Sequence, residues 1–177
     1  MHWQQICHFI QMIYRSGERT FQLLTQAAGR AGRGDRPGEV VIQTYDPEHY
    51  AIEASAAQDY EAFYEKEIRY RSLMGYPPVE NLMAVLAACE DEALLEKACK
   101  YLKEYILRIK GQAQLNVIGP ASPGVDKIKD IYRRVVYVKA PEYRTLVVLK
   151  DRMEQYIEIN SGFQKMRIQF DFNPMNL

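Results

Sequence analysis

Two arginines three residues apart carry the strongest chemical signal in this sequence of 177 residues. Arg30 and Arg33 belong to the octapeptide QAAGRAGR, which covers residues 26–33. If this segment is helical, side chains at that spacing project from nearly the same face. A guanidinium group stays charged at every physiological pH, and its planar donors suit phosphate oxygens. The pair is therefore typical of contact with a transferring phosphoryl group, although an isolated RAGR tetrapeptide is also typical of a basic surface turn.

The other parts of a nucleotide site are missing from the sequence. It contains neither a phosphate-cradling loop of the form GxxxxGKS/T nor a DExH-type box. Without these groups the phosphates and their magnesium ion would have no ligands in the chain. The sequence therefore predicts that the chain alone does not hydrolyse ATP.

The neighbours of the octapeptide decide between these interpretations. Residues 18–25 precede it and residues 34–45 follow it, and the whole stretch resembles the sixth conserved motif of superfamily-two helicases. This version of the motif is similar to that of the PriA (primosomal protein N′) family of replication-restart helicases. The resemblance continues to residue 177, whereas residues 1–14 do not match it. The further matching blocks are Phe63-Tyr64-Glu65, Glu67, Arg71, Gly75-Tyr76-Pro77-Pro78, Gly119-Pro120-Ala121, Lys127, Lys129, Tyr132-Arg133 and Lys139.

The resemblance implies a role for each residue of the octapeptide that could meet a nucleotide. Gln26 and Arg33 would face ATP bound on the other motor lobe, and Arg33 would be the arginine finger. Arg30 would be a second phosphate contact or a structural ion-pair partner. Gly29 and Gly32 would let the backbone approach the nucleotide closely. ATP and magnesium are implied for the intact helicase and not for this fragment alone, and the family's zinc module is missing from the sequence.

By the same resemblance, the chain is the C-terminal fragment of an ATP-dependent 3′-5′ DNA helicase of replication restart. The implied partners are branched and single-stranded DNA, the single-stranded-DNA-binding protein and primosome-loading proteins, in the cytoplasm. Whether the fragment is itself an enzyme stays open, and it is expected to be inactive alone. An alternative hypothesis is a stand-alone ferredoxin-like module that binds nucleic acid or protein without a motor function. Such a module would have no reason to contain the helicase motif at residues 18–45.

The chain divides into segments that differ in pattern. Within the first matching segment, residues 20–31 predict a helix and residues 40–45 a buried strand. Cut from their own sheet, these elements should be disordered or find a substitute partner. A short helix at 48–55 and a longer one at 58–73 are predicted to connect the domains, and the longer one is predicted to be solvated. The four segments are a non-matching stretch at 1–14, a remnant of the second RecA-like helicase lobe at 15–46, connecting helices at 47–78 and a C-terminal domain at 79–177.

The C-terminal segment predicts an α+β fold. Its strands and helices alternate as β-α-β-β-α-β, which is the ferredoxin-like order. Right-handed crossovers would place the first and third strands in the centre of the sheet, with both helices on one face. The predicted elements are strands at 82–89, 115–118, 131–139 and 166–172 and helices at 91–109 and 140–157.

Basic residues around the third strand form a candidate DNA surface. Ammonium and guanidinium groups can follow phosphates, and a tyrosine ring can stack on an unpaired base. Strand alternation places Tyr132 and Arg134 on one face and Arg133 on the other, so not all of these residues can contact DNA. The alternative is a solvated edge strand that its charges protect from aggregation. The candidate residues are Lys127, Lys129, Tyr132, Arg133, Arg134 and Lys139.

Composition limits the classes of protein and the kinds of site that the chain could contain. Lys plus Arg equals Asp plus Glu at 23 each, which argues weakly against a protein that simply coats polyanions. No apolar run approaches the length of about 18–20 residues that spans a bilayer. Neither the histidines nor the three cysteines have the spacing of a metal site. Cys89 and Cys99 are expected to be reduced thiols in or near a core.

Overall fold

The computed structural model describes residues 14–31 and 39–175. These residues belong to two compact units that meet in sequence between Met74 and Gly75. We call the first the helical unit and the second the sheet unit, and we describe each by itself. The predicted mixed α+β class is confirmed, because helices accompany an antiparallel sheet.

The described part of the helical unit contains three helices: α1 (Ser16–Ala31), α2 (Tyr50–Ala57) and α3 (Tyr60–Met74). Helix α1 begins before the predicted Thr20, because Glu18 in its first turn complements the positive helix end. Helix α2 is capped by His49, whose Nδ1 accepts a hydrogen bond from the Ala51 amide at 3.2 Å.

Helix α1 has found a substitute partner in α2 and α3. Phe21 of α1 stacks on Phe63 of α3, with ring centroids 4.4 Å apart and planes 15° apart. Ala51 and Ala54 of α2 complete this small core. Phe21 of α1 is therefore buried within the helical unit, whereas Leu24 and Ala28 are half-buried.

The prediction that α3 is a solvated connector was wrong. Its buried residues Phe63, Glu67 and Arg71 follow one another at four-residue spacing and so share one face. Arg71 donates from Nε to Glu67 at 2.7 Å and from Nη2 to Glu18 of α1 at 2.8 Å. Tyr50 donates its hydroxyl hydrogen to the second Glu67 oxygen at 2.6 Å. We call Glu18, Tyr50, Glu67 and Arg71 the buried polar network.

Each charge of this network is satisfied where it is buried. Burial by itself lowers the pKa of Arg71, but hydrogen bonds and attraction from Glu18 and Glu67 raise it further than burial lowers it. Burial, together with the hydrogen bond to Glu67, raises the pKa of Tyr50. Both groups therefore keep their protons at physiological pH, Arg71 as a cation and Tyr50 as a neutral donor.

Gly17 and Gly29 of α1 offer a matched pair of substitutions. A Cβ atom on Gly17 would lie 2.6 Å from Tyr50 Oη and 2.8 Å from Glu67 Oε2, so Gly17→Ala must disturb the buried polar network. We expect that substitution to lower the unfolding free energy of the helical unit by about 1–3 kcal/mol. Gly29→Ala meets no atom within 4 Å and should raise it by about 0.5–1 kcal/mol. Urea unfolding followed by circular dichroism measures both, and equal stabilities of the two variants would contradict the packing described here.

The predicted strand at 40–45 was wrong. Residues 39–45 are described without a strand, and the side chains of Val41 and Tyr45 are exposed. A strand needs a neighbour that pairs with its backbone, and the described part of the helical unit contains no strand at all. Val40-Val41-Ile42 therefore do not form a strand despite their β-branched side chains, because the described part of this unit offers no strand to pair with them.

Among residues 75–175, the sheet unit has five strands in one antiparallel sheet of order β2-β4-β1-β5, with β3 paired to β4. The predicted first and third strands, now β1 and β4, are the central ones. Strand β1 pairs with residues far along the chain, including Asn81 with Ala140 and Met83 with Phe172. The elements are β1 (Asn81–Cys89), α4 (Glu92–Ile109), β2 (Asn116–Ala121), β3 (Lys127–Ile128), β4 (Ile131–Ala140), α5 (Tyr143–Ile159), a 3-10 turn (Ser161–Phe163) and β5 (Arg167–Phe172).

Helices α4 and α5 share one hydrophobic core with alternate residues of the two central strands. Because side chains alternate along a strand, Met83 and Val85 of β1 lie on the same face as one another. The core joins residues from every one of these elements: Met83, Val85, Val136, Val138, Leu102, Ile106, Leu146 and Met153. This core holds β4 in place through Val136 and Val138. The first residues of the same strand belong to the candidate DNA surface, so the core also positions that surface.

Cys89 and Cys99 of the sheet unit are buried, as predicted. Cys89 and Cys99 lie with Leu95 in a smaller cluster beside the main core, and both are free thiols. Burial, reinforced by the nearby Glu96 carboxylate, raises the pKa of Cys99 to about 12. Its thiol is therefore protonated and unreactive at physiological pH.

Candidate nucleic-acid interface

Strand β3 and the first residues of β4 form a short hairpin. Most of the candidate DNA residues lie in this hairpin or directly after it. Strand β3 pairs with β4 so that Lys127 lies opposite Tyr132 and Ile128 opposite Ile131. The turn between them is Lys129-Asp130, and both residues have left-handed φ angles, 49° and 62°. Two such residues in succession are typical of the two-residue turn whose twist matches that of paired strands. We call residues 127–132 the basic hairpin.

Contacts from Lys127 hold the basic hairpin in shape. Its ammonium group lies 2.9 Å from an Asp130 carboxylate oxygen and 4.7 Å from the centre of the Tyr132 ring. The hydrogen bond from Lys127 lowers the pKa of Asp130, so this carboxylate stays ionised. Lys127 is still exposed, and its ammonium group can leave Asp130 and bind a phosphate instead.

Arg133 ties the hairpin to the loop that precedes it. Its backbone amide donates to the Asp126 carbonyl at 2.7 Å, and its guanidinium donates to the Val125 carbonyl at 3.3 Å. This second bond is exposed and uses one of the five guanidinium donors. Arg133 therefore keeps donors for a further ligand.

Arg134 faces the helices and is occupied there. Its guanidinium side chain is 8% exposed and contacts Glu92 at 2.7 Å and Glu96 at 2.5 Å, both on α4. Burial alone lowers the pKa of Arg134, but hydrogen bonds and attraction from Glu96 and Glu92 raise it by more. This cation binds β4 to α4, and it is not presented to a ligand in solvent.

Lys139 is also enclosed within the sheet unit. The residue is 5% exposed, and its ammonium nitrogen lies 3.7 Å from the centre of the Tyr76 ring. Burial lowers the pKa of Lys139, opposed by the charge of Glu80. Of the six candidates, Arg134 and Lys139 are buried, Tyr132 and Arg133 are half-buried, and Lys127 and Lys129 are exposed.

A groove of about 750 Å³ runs beside the basic hairpin. Its floor is partly aliphatic, and its basic rim includes two cations that sequence reasoning missed, Lys165 and Arg167. Pairing of β5 with β1 places Arg167 beside Ala88, and hence close to the hairpin. The sequence signal for Arg167 was the alternation along β5. Every second residue of this strand is exposed, and a basic residue at such a position predicts a charged face. The hairpin side of the groove is lined by Ile128, Lys129, Ile131 and Arg133.

The helicase-motif residues are placed only in part. Gln26, Gly29 and Arg30 lie exposed on the second half of α1. Arg30 in the last turn is well placed to interact with the negative helix end. Gly32 and Arg33 lie outside the described residues.

The described ranges contain neither a metal-ligand cluster nor a membrane-spanning helix. Among residues 14–31 and 39–175, no group of His, Cys, Asp and Glu could hold a metal ion. None of the helices in these ranges is long and apolar enough to cross a membrane.

Comparison with known proteins places the chain in a family. Residues 72–175 match the family described as Primosomal protein N C-terminal domain. The chain belongs to this family. The match begins close to Gly75, where the sheet unit starts, and it confirms the membership that the sequence blocks predicted.

Relatives of this family extend the similarity beyond the matched domain. The chain is 35% identical over 161 residues to "Replication restart protein PriA" of Bacillus subtilis (strain 168), covering 91% of this chain and 20% of that protein. It is 34% identical over 164 residues to the protein of that name from Synechocystis sp. (strain ATCC 27184 / PCC 6803 / Kazusa), covering 93% and 19%. The Thermotoga maritima protein of that name is 37% identical over 129 residues, covering 73% and 17%. The chain thus spans about a fifth of the length of these relatives.

Proposed function

We propose that this chain acts in replication restart as the C-terminal part of an ATP-dependent DNA helicase. The observation that carries this proposal is the extent of similarity to proteins named for replication restart. It covers 91% of the chain, and so includes much of the helical unit as well as residues 72–175. A stand-alone sheet module would share only the second part.

The two units fit the architecture that such a role requires. We propose that the sheet unit is ferredoxin-like, supported by its strand order β2-β4-β1-β5 and its single helical core. We propose that α1 is the last helix of a RecA-like motor lobe. The exposed polar end of α1 would then be directed at the rest of the motor, and its buried Phe21 at α2 and α3.

In the intact enzyme, Gln26 and Arg33 would face ATP and its magnesium ion across the motor cleft. Arg33 would stabilise the charge of the transferring phosphoryl group, and Arg30 would be a second phosphate contact. Gly29 supports this, because the space around it is open and would admit a close approach. Gly32 would serve the same purpose.

The sheet unit would supply DNA contacts. Lys127, Lys129 and Arg133 are accessible cations on and beside one hairpin, and the Tyr132 ring among them can stack on an unpaired base. The proposed partners are branched and single-stranded DNA, with the single-stranded-DNA-binding protein and primosome-loading proteins as protein partners in the cytoplasm.

The DNA proposal is tested by removing the three cations together. Replacing Lys127, Lys129 and Arg133 with glutamine should weaken binding to a three-way branched DNA. The slope of log K against log salt concentration should also flatten by roughly one unit for each phosphate that the protein no longer neutralises. Fluorescence anisotropy titrations at several salt concentrations measure both quantities.

A control with the same change in charge uses exposed cations of α4. Replacement of Lys97, Lys100 and Arg108 with glutamine removes three exposed charges from α4 that do not line the groove. We expect this variant to keep its salt slope. If both triple variants behave like the unchanged chain, the sheet unit is not a DNA-binding domain.

A further inference from the structure

Two isoleucines at the end of the basic hairpin are exposed where their chemistry would favour burial. Ile128 is 46% exposed and Ile131 is 41% exposed. The two lie directly opposite one another in the β3–β4 pair, so their side chains share one face. They form an aliphatic plate beside the turn Lys129-Asp130.

The plate is held rigidly at the tip of a well-anchored element. Residues 134–140 of β4 are buried between neighbouring strands, whereas the plate begins at the exposed end of the same strand. Contacts of Lys127 with Asp130 and with the Tyr132 ring brace the hairpin on its other side. The position of the plate is therefore set before any ligand arrives, which lowers the entropy cost of binding.

Four cations outnumber the two acidic residues, Glu90 and Asp91, that line the groove beside the plate. Lys129 and Arg133 lie on and beside its own hairpin, and Lys165 and Arg167 lie across the groove. The excess of cations favours a partner with negative charge beside an apolar surface. Nucleic acid combines an anionic backbone with apolar base faces at every nucleotide, so its chemistry matches this arrangement without a special sequence.

We propose that Ile128 and Ile131 act as a wedge that packs against the open base pair at a DNA branch point while the surrounding cations hold the flanking phosphates. This proposal rests on the proposed DNA-binding function and specifies which feature of the DNA the hairpin selects. In a continuous duplex, stacking covers both faces of each base pair. At a branch, the stack is interrupted and a base face is open to aliphatic side chains. The wedge carries no hydrogen-bonding groups, so it selects branches and not sequences.

The test replaces both isoleucines with threonine, which keeps the β-branched shape but introduces a hydroxyl. We expect Ile128→Thr with Ile131→Thr to bind a three-way branched DNA about tenfold more weakly. Binding to a linear duplex of equal length should be unchanged, and so should the salt slope. A 2-aminopurine placed at the branch should brighten on binding of the unchanged chain, because the wedge unstacks it, and should not brighten with the double variant.

A matched control and three outcomes separate this proposal from the one it rests on. Val79→Thr with Ile159→Thr removes two exposed aliphatic residues elsewhere and should leave branch selectivity intact. If the isoleucine variant keeps its selectivity while the glutamine triple variant loses salt dependence, the wedge is overturned and the DNA-binding function stands. If neither variant changes binding, both proposals fall. If the isoleucine variant instead changes only the sedimentation behaviour of the chain, the plate is a contact between copies and the wedge is overturned.

Discussion

Replacing Arg71 with methionine is expected to lower the unfolding free energy of the helical unit by about 3–5 kcal/mol. Arg71 and Glu67 are 9% and 7% exposed, so their charges depend on one another for solvation. Methionine preserves much of the volume but leaves the Glu67 carboxylate buried without its cation. The same change frees Glu18 from its contact with α3 and so loosens α1.

Urea unfolding of the helical unit measures this effect, and an exposed ion pair supplies the control. Lys66 and Glu53 lie 3.3 Å apart with more than half of each side chain exposed. Lys66→Met should therefore change stability by less than about 1 kcal/mol. Replacing Glu67 and Arg71 together with leucine and methionine should recover part of the stability, since no charge then stays buried alone. Equal destabilisation by Arg71→Met and Lys66→Met would show that the buried polar network does not stabilise the unit.

Arg33→Ala is expected to lower kcat for ATP about 10³-fold in a full-length helicase that contains this sequence. An arginine finger acts on charge that develops in the transition state, so kcat should fall much more than the affinity for ATP. Arg33→Lys should recover little of the activity, because a lysine ammonium cannot reproduce the planar fork of donors. DNA-stimulated ATP turnover, measured over a range of ATP concentrations, separates kcat from KM.

Arg30→Ala is the matched variant, three residues earlier in the sequence. If Arg30 is a second phosphate contact, its removal should cost less than that of Arg33 and should raise KM as well. If Arg33→Ala retains normal turnover while Arg30→Ala does not, the finger is Arg30. Normal turnover in both variants would remove this segment from the nucleotide site.

Sequence periodicity predicted the sheet unit because each of its strands has its pairing partner in the same chain. The strands predicted at 82–89 and 131–139 are both central strands, and the connection rules gave their positions in the sheet. Strand alternation separated Arg133 from Arg134, which the structure places against solvent and against α4 respectively. These features depend on local pattern and on contacts that the pattern itself implies.

The helical unit was harder to predict because its packing does not follow the apolar pattern. The buried face of α3 contains Glu67 and Arg71, which periodicity assigns to solvent until a partner such as Glu18 is known. The strand predicted at 40–45 from its composition was wrong because the described part of this unit contains no strand to pair with it. The cations Lys165 and Arg167 were missed because only the pairing of β5 with β1 brings them to the groove.

The pairing of β1 has a consequence for how the sheet unit forms as the chain is synthesised. Both neighbours of β1 come much later in the sequence, and its first residues pair with Ala140 on one side and Phe172 on the other. The Leu82 amide is finally satisfied by the Asn173 side chain at 2.8 Å. Strand β1 is synthesised first, but its pairing is complete only after β5, the last strand, has been synthesised. A long stretch of chain must close before β1 can pair with either neighbour. A ribosome that stalls before β5 would leave the backbone N–H and C=O groups on one edge of β1 unpaired. Premature termination there should therefore lead to aggregation and proteolysis instead of a smaller folded domain.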